Sequence, residues 1–487
     1  MDDLLDPNIC WEAIYSRDPR FDGRFFAAAT TTGLYCRNIC PVPFARPKHI
    51  VLFACAAAAE SAGFRPCKRC QPQAAPGTPA WLGTSAVTSR AFRLILEGAL
   101  NGGSVDQLAE RLGLGSRQLR RLFVQHLGAS PLKIATTQRI HLALNLIEES
   151  KFPMTEIAFC SGFKSIREFN HAIRSSTGQS PSELRRASVG RPAPARQSAL
   201  ELRLPYRAPF DWENLIAFLK RNATPGVEVV SINSYQRTIE IGGAQGFFTV
   251  RPDLAHCRLI VNLELSSYEG LAQTVERIRR IFDLAADPFR IANHLSRDGR
   301  LRQSLKLHPG LRVPGVWDGF EGTVLAILGE TLTMRAPRRV TEQLVKRFGT
   351  PIDTGVRGLT HIFPQPEALA IAPLSKIGMA NASAATLRNV SAAAAQNKLA
   401  FETSRTLDEI VERVMAAANL DESVAHYVAM RSFAEPDAFP FSDTTAIATA
   451  SAWRPWRAYA AMHIAIGSRK NRSAGSDARF ALQPVTG

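Results

Sequence analysis

Two pairs of cysteines constrain this chain more than any other feature. Three residues separate Cys36 from Cys40, two separate Cys67 from Cys70, and a loop of 26 residues joins the pairs. Two close pairs joined by a loop can surround one ion tetrahedrally, and four thiolates suit zinc. The spacing therefore predicts one Zn²⁺ held by all four cysteines. On spacing alone, the simplest interpretation is a closed site that only stabilises a small domain.

The charge of the chain indicates a polyanionic partner. Its 487 residues suggest about three domains, and 59 Lys and Arg against 43 Asp and Glu give a net charge of +16. With 45% hydrophobic and 21% charged residues, the composition is that of a globular protein. Double-stranded DNA is the leading partner, and a basic enzyme without such a partner is the alternative.

Nothing in the sequence indicates a membrane. No run of 18 apolar residues is present, and the acidic start, Met1–Asp6, lacks the pattern of a secretory signal. We therefore expect a cytoplasmic protein without a membrane partner. In a reducing compartment, clustered cysteines are expected to be metal ligands or reactive thiols rather than disulfides. Cys10 and Cys55 lie outside the pattern and are expected to be inert packing residues.

Pro- and Gly-rich linkers at 74–79 and 190–195 divide the chain. The predicted domains are a zinc domain (1–75), an Arg-rich helical domain (80–188), a mixed α/β domain (200–290), a helical domain (291–470) and a disordered polar tail (471–487). Strand-like runs in the α/β domain lie at 227–230, 237–241, 247–250 and 258–263, and a helix is expected at 270–282.

The Arg-rich domain has the period of two helix-turn-helix units. Gly113-Leu114-Gly115 and Gly162-Phe163 mark the turns, and Ser116 and Ser165 are predicted N-caps of the second helices. A helix at 134–149 joins the units. Exposed positions of the second helices are predicted to read the major groove, with a solvated face as the alternative; they are Arg117, Gln118, Arg120, Arg121, Arg167, Glu168 and Asn170.

Residues 8–73 resemble the N-terminal domain of Ada-type DNA repair proteins. The resemblance rests on the segments 17–19, 22–23, 31–37 and 63–70. It implies that Cys36, with Cys40, Cys67 and Cys70 completing the zinc site, accepts a methyl group from a methylated DNA phosphate. Basic residues near the site are predicted to contact phosphates, with ordinary solvation as the alternative; they are Arg37, Arg46, Lys48, Arg65, Lys68 and Arg69.

Residues 85–187 resemble the DNA-binding domain of AraC-type regulators, and the match includes the closing segment 178–182. Ada-type activators carry this domain directly after the zinc domain, so the order of the two segments supports both resemblances. The resemblance implies a promoter operator as a DNA partner and RNA polymerase as a protein partner.

Residues 200–470 resemble AlkA-type 3-methyladenine DNA glycosylases. The matching segments are 209–212, 326–329, 358–364 and 453–459. The resemblance implies a small α/β domain and a helix-hairpin-helix bundle that flips an alkylated base into an aromatic cleft. Asp443 is the implied catalytic carboxylate, with a helix N-cap as the alternative. Tyr427 is the implied stacking residue of the base pocket, with a core tyrosine as the alternative.

The hairpin departs from that family. Asn419 and Asp421 stand where glycines let backbone amides approach a DNA phosphate, and Asp421 and Glu422 would repel it. Ser423 replaces a tryptophan. Further departures are Ala465, Glu330 and Thr331, and only nine residues separate Asp443 from Trp453. These differences predict an impaired glycosylase.

The sequence as a whole predicts a multidomain, mostly α protein with α+β parts. Its predicted parts are a small zinc domain, a double helix-turn-helix domain, a small mixed α/β domain and a helix-hairpin-helix glycosylase bundle with a degenerate hairpin. We expect a bacterial, nucleoid-associated protein that repairs alkylated DNA and regulates the adaptive response. Methyl transfer to Cys36 would switch on transcription, and the glycosylase would excise bases such as 3-methyladenine. The alternative is a transcription factor with a structural zinc site and an inactive glycosylase remnant.

Overall fold

The computed structural model describes residues 6–72, 75, 86–187, 200–331, 336–396, 406–418, 420–441 and 450–470. The chain forms two compact units. The first comprises residues 1–208, 253–279 and 284–286, and the second comprises the remaining residues from 209 onward. Among the described residues, no helix combines the length and the apolar character needed to cross a bilayer.

The zinc domain is a four-stranded sheet with two helices, one before the first strand and one between the third and fourth strands. Its elements are α1 (Pro7–Tyr15), β1 (Phe26–Ala29), β2 (Leu34–Cys36), β3 (Ile50–Phe53), α2 (Ala56–Ser61) and β4 (Arg65–Pro66). The strand order is β3-β1-β2-β4. β1 is antiparallel to both β2 and β3, whereas β2 and β4 run parallel, with Leu34 opposite Arg65. The carboxyl ends of β2 and β4 therefore lie at the same edge of the sheet.

The following segment is helical, as predicted. Its helices are α3 (Ala86–Leu96), α4 (Ala99–Gly102), α5 (Val105–Arg111), α6 (Ser116–Leu127), α7 (Pro131–Glu149), α8 (Met154–Cys160), α9 (Ile166–Thr177) and α10 (Pro181–Ala187). Gly113 and Gly162 adopt φ values of +69° and +89° in the two turns, which favour glycine. Ser165 caps α9 by accepting a hydrogen bond from the Glu168 backbone. The N-cap prediction for Ser116 was wrong, because α6 begins at Ser116 and Gly115 occupies the cap.

The zinc domain and the helical segment share one hydrophobic core. Ala57 and Ala58 of α2 pack with Phe92, Phe123 and Leu127 of the helical segment. Cys55 belongs to the same cluster, and its thiol donates to the Leu127 carbonyl at 3.2 Å. The buried positions of Cys55 and Cys10 are those expected of packing residues.

Further elements of the first unit follow the linker. β5 (Leu200–Pro205) pairs antiparallel with β9 (Arg258–Leu265), with Leu202 opposite Val261. The strand-like run at 258–263 is thus a strand. The sequence analysis missed β5, although its side chains alternate between buried and partly exposed positions, the pattern of a strand with one face in the core.

The second unit contains an antiparallel meander and a helical bundle. The meander consists of β6 (Glu228–Val230), β7 (Tyr235–Ile241) and β8 (Ala244–Asp253), preceded by α11 (Trp212–Asn222). Thus all four predicted strand runs are strands; three of them are longer than predicted, whereas β6 begins one residue later. The helix expected at 270–282 is α12 (Leu271–Ile281), most of which belongs to the first unit.

The bundle helices are α13 (Pro288–Leu295), α14 (Gly299–Leu307), α15 (Gly319–Thr331), α16 (Ala336–Phe348), α17 (Pro366–Ala370), α18 (Asn381–Ala395), α19 (Leu407–Ala418), α20 (Glu422–Ser432) and α21 (Arg457–Lys470). A short antiparallel pair, β10 (Thr350–Pro351) with β11 (His361–Ile362), was not predicted. Asp443 and the tail 471–487 lie outside the described residues.

Candidate zinc and DNA-binding site

The parallel pairing of β2 and β4 brings the two cysteine pairs together. Cys36 ends β2, and Cys67 directly follows β4 and donates its backbone N–H to the Tyr35 carbonyl at 3.0 Å. Turns after each strand then return Cys40 and Cys70 to the same place. The four sulfur atoms lie within 4.8 Å of one another. Tetrahedral ligation at Zn–S distances of about 2.3 Å places sulfurs about 3.8 Å apart, so this donor set fits zinc after a small contraction.

The four cysteines differ in their access to solvent. Cys40 is fully buried, and Cys67 and Cys70 are 6% and 8% exposed. Cys36 is partly exposed and is the only one of the four that is not buried. The geometry therefore distinguishes one ligand from the other three.

The crowded thiols favour a bound cation. A hydrogen bond from Cys36 to Cys70, together with burial, raises the pKa of Cys36, and the same bond lowers the pKa of Cys70 to about 6. Burial raises the pKa of Cys40 to about 11. The four sulfurs therefore cannot all be thiolates at the same time at neutral pH unless a cation offsets their charge.

Arg37 is held inside the zinc domain. Its Nε donates to Asp22 at 2.8 Å, its Nη2 pairs with the same carboxylate, and its Nη1 donates to the Cys70 carbonyl at 3.2 Å. Asp22 is 4% exposed. The backbone N–H of Arg37 also donates to the Cys70 sulfur at 3.4 Å. This arrangement favours an anchoring role over the predicted phosphate contact. Asp22-Gly23 was noted in sequence, but the role of Asp22 was missed.

The other basic residues near the site fall into two groups. Arg46, Lys48 and Arg69 are exposed, as a phosphate contact requires. Lys68 and Arg65 are exposed as well, but they lie beside the end of α9. The Lys68 ammonium donates to Gln179 Oε1 at 2.7 Å, and the Arg65 guanidinium lies against Gly178. The phosphate contacts of all five residues stay predictions.

The second helices of both helix-turn-helix units present all seven of the predicted reading residues to solvent. The exposed set is Arg117, Gln118, Arg120 and Arg121 on α6, with Arg167, Glu168 and Asn170 on α9. Leu119, Phe123, Phe169 and Ile173 turn the other faces into the core. Glu168 has a local role as well, because its carboxylate accepts the Lys164 backbone N–H at 3.1 Å, just before the N-cap Ser165.

Tyr427 is buried in the helical bundle. It is 8% exposed, and its hydroxyl accepts a hydrogen bond from Arg431 Nη1 at 2.8 Å. The Arg431 guanidinium also lies 5.6 Å from the ring centroid. These contacts are those of a core tyrosine, the alternative left open by the sequence. Its role in a base pocket stays a prediction.

The segment that precedes Asp443 is held by contacts at Asp437 and Phe439. The Asp437 carboxylate accepts hydrogen bonds from Arg457 at 2.8 Å and pairs with Arg454 at 2.9 Å. His426 Nδ1 accepts the Phe439 backbone N–H at 3.4 Å. The His426 side chain is only 15% exposed. Burial lowers its pKa to about 4, so it is neutral at pH 7.

The hairpin between α19 and α20 carries exposed acidic groups. Asp421 precedes α20 and Glu422 begins it, and both are exposed. The N-terminus of a helix favours anions because its backbone N–H groups are unpaired. Two carboxylates at this position therefore oppose binding of a phosphate at the end of α20.

Three family descriptions match the chain. The metal binding domain of Ada matches residues 9–73, a helix-turn-helix domain matches 108–187, and the AlkA N-terminal domain matches 201–318. Together with the sulfur cluster, these matches define a zinc-binding, DNA-binding protein with an AlkA-type domain. They confirm the predicted four-cysteine zinc site and the predicted fold class.

Relatives of known name match the whole chain or parts of it. A probable bifunctional transcriptional activator/DNA repair enzyme AlkA of Mycobacterium tuberculosis is 37% identical over 475 residues, which cover 93% of this chain and 95% of the relative. DNA-3-methyladenine glycosylase 2 of Escherichia coli is 29% identical over 54% of this chain and 95% of its own length. The bifunctional Ada of the same organism is 35% identical over 25% of this chain and 33% of its own length. The chain belongs to the family of bifunctional transcriptional activator/DNA repair enzymes that join Ada-type and AlkA-type parts.

Proposed function

We propose that this chain senses and repairs alkylated DNA. Cys36 accepts a methyl group from a DNA methylphosphotriester, the helix-turn-helix pair then activates transcription, and the C-terminal half excises alkylated bases. The observation that carries the proposal is the unequal burial of the sulfur cluster. Three ligands are buried and Cys36 is partly exposed, in a domain that shares its core with the helix-turn-helix segment.

The methyl transfer is a single displacement. The Cys36 sulfur attacks the methyl carbon, the S–C bond forms as the O–C bond breaks, and the electron pair of that bond stays on the phosphate oxygen. The products are a thioether and an ordinary phosphodiester. A bound zinc ion keeps the sulfur deprotonated at neutral pH. The substrate has no charge on its alkylated phosphate and therefore does not repel the thiolate.

The residues around Cys36 hold it for this step. The parallel strand pair fixes Cys36 beside Cys67, and Arg37 connects the Cys70 carbonyl to Asp22. A transfer that consumes the sulfur occurs once per molecule. Each molecule is therefore consumed by one transfer, and its methylated form is the signal that damage has occurred.

Methylation also changes the charge of the site. Four thiolates around a Zn²⁺ ion carry a net charge of about −2, and a thioether in place of one thiolate reduces it to about −1. A less negative surface is repelled less by DNA phosphates, and this effect weakens as salt rises. Because this repulsion is weaker after methyl transfer, the methylated chain has a higher affinity for promoter DNA.

The experiment that tests the transfer is mass analysis after incubation with DNA that carries methylphosphotriesters. One added methyl group on the peptide with Cys36 is expected, and Cys36→Ser should abolish it. Cys257→Ser is the matched control, because Cys257 is also partly exposed but lies outside the cluster. Methyl uptake on Cys257, or none on Cys36, would refute the proposal.

The paired readers support binding to an operator. Both second helices expose polar and basic side chains on one face, and direct readout uses such side chains in the major groove. Alanine variants of Arg121 and Arg167 should weaken binding to the operator more than binding to unrelated DNA. RNA polymerase as the partner of the bound activator, and association with the bacterial nucleoid, stay predictions that accompany this function.

The C-terminal half supports DNA glycosylase activity through its likeness to the Escherichia coli glycosylase. The finer assignment is excision of 3-methyladenine with Asp443 as the catalytic carboxylate. Release of the base from alkylated duplex should be lost in Asp443→Asn and kept in Asp353→Asn, which alters an exposed aspartate of the same unit. The exposed acids of the hairpin favour a low rate. No release with normal methyl uptake would indicate a transcription factor with an inactive glycosylase remnant.

A further inference from the structure

Glu60 is a buried carboxylate at the boundary of the zinc domain. It lies in α2, and its side chain is only 5% exposed. A buried carboxylate requires hydrogen bonds and a compensating charge to offset its lost hydration. The partners of Glu60 come from two different domains, and none of them is a zinc ligand.

The partner on the zinc side is Tyr35. Its hydroxyl donates to Glu60 Oε1 at 3.0 Å, and its side chain is completely buried. Tyr35 precedes Cys36 in β2, and its carbonyl accepts the N–H of Cys67 at 3.0 Å. Because Tyr35 and Cys36 are consecutive residues of β2, a backbone shift that accompanies a change at Cys36 moves Tyr35 as well.

The partners on the DNA-binding side lie on one face of α7. Thr137 Oγ1 donates to Glu60 Oε2 at 2.7 Å, and the Lys133 ammonium lies 3.5 Å from the same oxygen. His141 Nε2 lies 3.8 Å from Oε1. These three residues are spaced by four along the helix and share a face. Burial lowers the pKa of His141, so Lys133 is the charged one of these three.

The helix that Glu60 contacts joins the two DNA-reading units. α7 packs against α6, α8, α9 and α10. Two residues after Thr137, the Arg139 guanidinium donates to Asn101 at 2.9 Å and lies 3.7 Å from the Glu168 carboxylate. Glu168 stands in the first turn of α9. A continuous set of contacts thus runs from the residue beside Cys36 to a DNA-reading helix.

We propose that Glu60 is a positioning residue that couples the methylation state of Cys36 to the placement of α7. The proposal rests on the proposed methyl transfer and adds a second route to the activation. The charge change acts through space and weakens with salt, whereas the contacts of Glu60 with Tyr35 and Thr137 are buried and are screened much less. Part of the gain in DNA affinity on methylation therefore persists at high salt.

The test compares the affinity of unmodified and Cys36-methylated full-length protein for duplex DNA across a salt series. Coupling between sites is commonly worth about 5-fold or more in affinity. We expect Glu60→Gln to lose about 5-fold of the methylation gain that remains at high salt, with zinc content and methyl uptake unchanged. Glu12→Gln makes the same charge change at an exposed position of the zinc domain and should keep the full gain.

Two milder variants cover the case in which Glu60→Gln does not fold. Tyr35→Phe and Thr137→Val each remove one hydroxyl, and each should reduce the same salt-resistant gain without abolishing zinc binding. If the variants that fold, Glu60→Gln among them, all keep the full methylation gain at high salt, the coupling is overturned. The proposed methyl transfer would not be affected by that result. Absence of methyl uptake by the wild-type protein, seen directly by mass, would overturn the methyl transfer and the coupling with it.

Discussion

Replacing Arg37 tests whether it anchors the zinc domain or contacts DNA. The Arg37 guanidinium and the Asp22 carboxylate are 14% and 6% exposed, so Arg37→Gln leaves a buried carboxylate without its counter-charge. Breaking a buried pair from one side costs about 3–5 kcal/mol. The matched control is Arg20→Gln, because Arg20 pairs with Asp18 but is 50% exposed, and such pairs contribute about 0.2–1 kcal/mol.

Zinc release during urea denaturation, followed with a chromogenic chelator, measures this difference. Because the zinc domain shares its core with the helical segment, we take an m-value of about 2 kcal/mol per M. A loss of about 3 kcal/mol then lowers the midpoint by about 1.5 M, whereas Arg20→Gln should lower it by under about 0.5 M. The double variant Asp22→Asn/Arg37→Gln should recover part of the loss, because neither partner is then left charged and alone. If Arg37→Gln and Arg20→Gln have equal midpoints and only Arg37→Gln weakens DNA binding, then Arg37 contacts a DNA phosphate and does not anchor the domain.

Three further predictions concern metal, pH and the hairpin. Chelation of zinc should abolish methyl uptake and expose the zinc domain to protease, since binding energy for zinc is also folding energy; resistance of the metal-free domain would contradict this. Burial lowers the pKa of His426 to about 4 from 6.5, so the unfolded chain binds more protons in that window and stability should fall as pH drops from 6.5 to 4. In His426→Asn this part of the pH dependence of urea unfolding should disappear. Asp421→Gly/Glu422→Gln should raise duplex affinity at low salt about 10-fold, if each exposed charge opposes binding by about 0.7 kcal/mol, with Glu412→Gln as a control that leaves a titration of DNA binding unchanged.

Local patterns in the sequence predicted much of the sensor half. The cysteine spacing indicated the zinc site, and Gly113, Gly162 and Ser165 indicated the turns and one cap. These signals are local, because each depends on backbone conformation or on ligand spacing within a few residues. The error at Ser116 has the same origin. A serine can cap a helix or begin one, and here Gly115 takes the cap.

The contacts that matter most for coupling are not local. Glu60 and Thr137 are separated by 77 positions, and Arg37 and Asp22 by 15. A glutamate in an alanine-rich helix has no pattern that reveals burial, since its environment is set by elements far away in sequence. The solvent access that distinguishes Cys36 also depends on the fold of the whole domain. Such features follow from tertiary packing.

The two halves of the chain differ in how far their predicted functional sites are intact. The zinc domain holds all four ligands together, and the two reading helices expose their polar faces. In the glycosylase half, contacts between distant residues hold the bundle together. Trp453 Nε1 donates to Asp298 at 2.8 Å, and Asp437 pairs with Arg457. The hairpin that would grip DNA is instead acidic. We therefore predict that the proposed sensing does not depend on base excision. Substitution of Cys36 should leave base release unchanged, and substitution of the hairpin should leave methyl uptake unchanged.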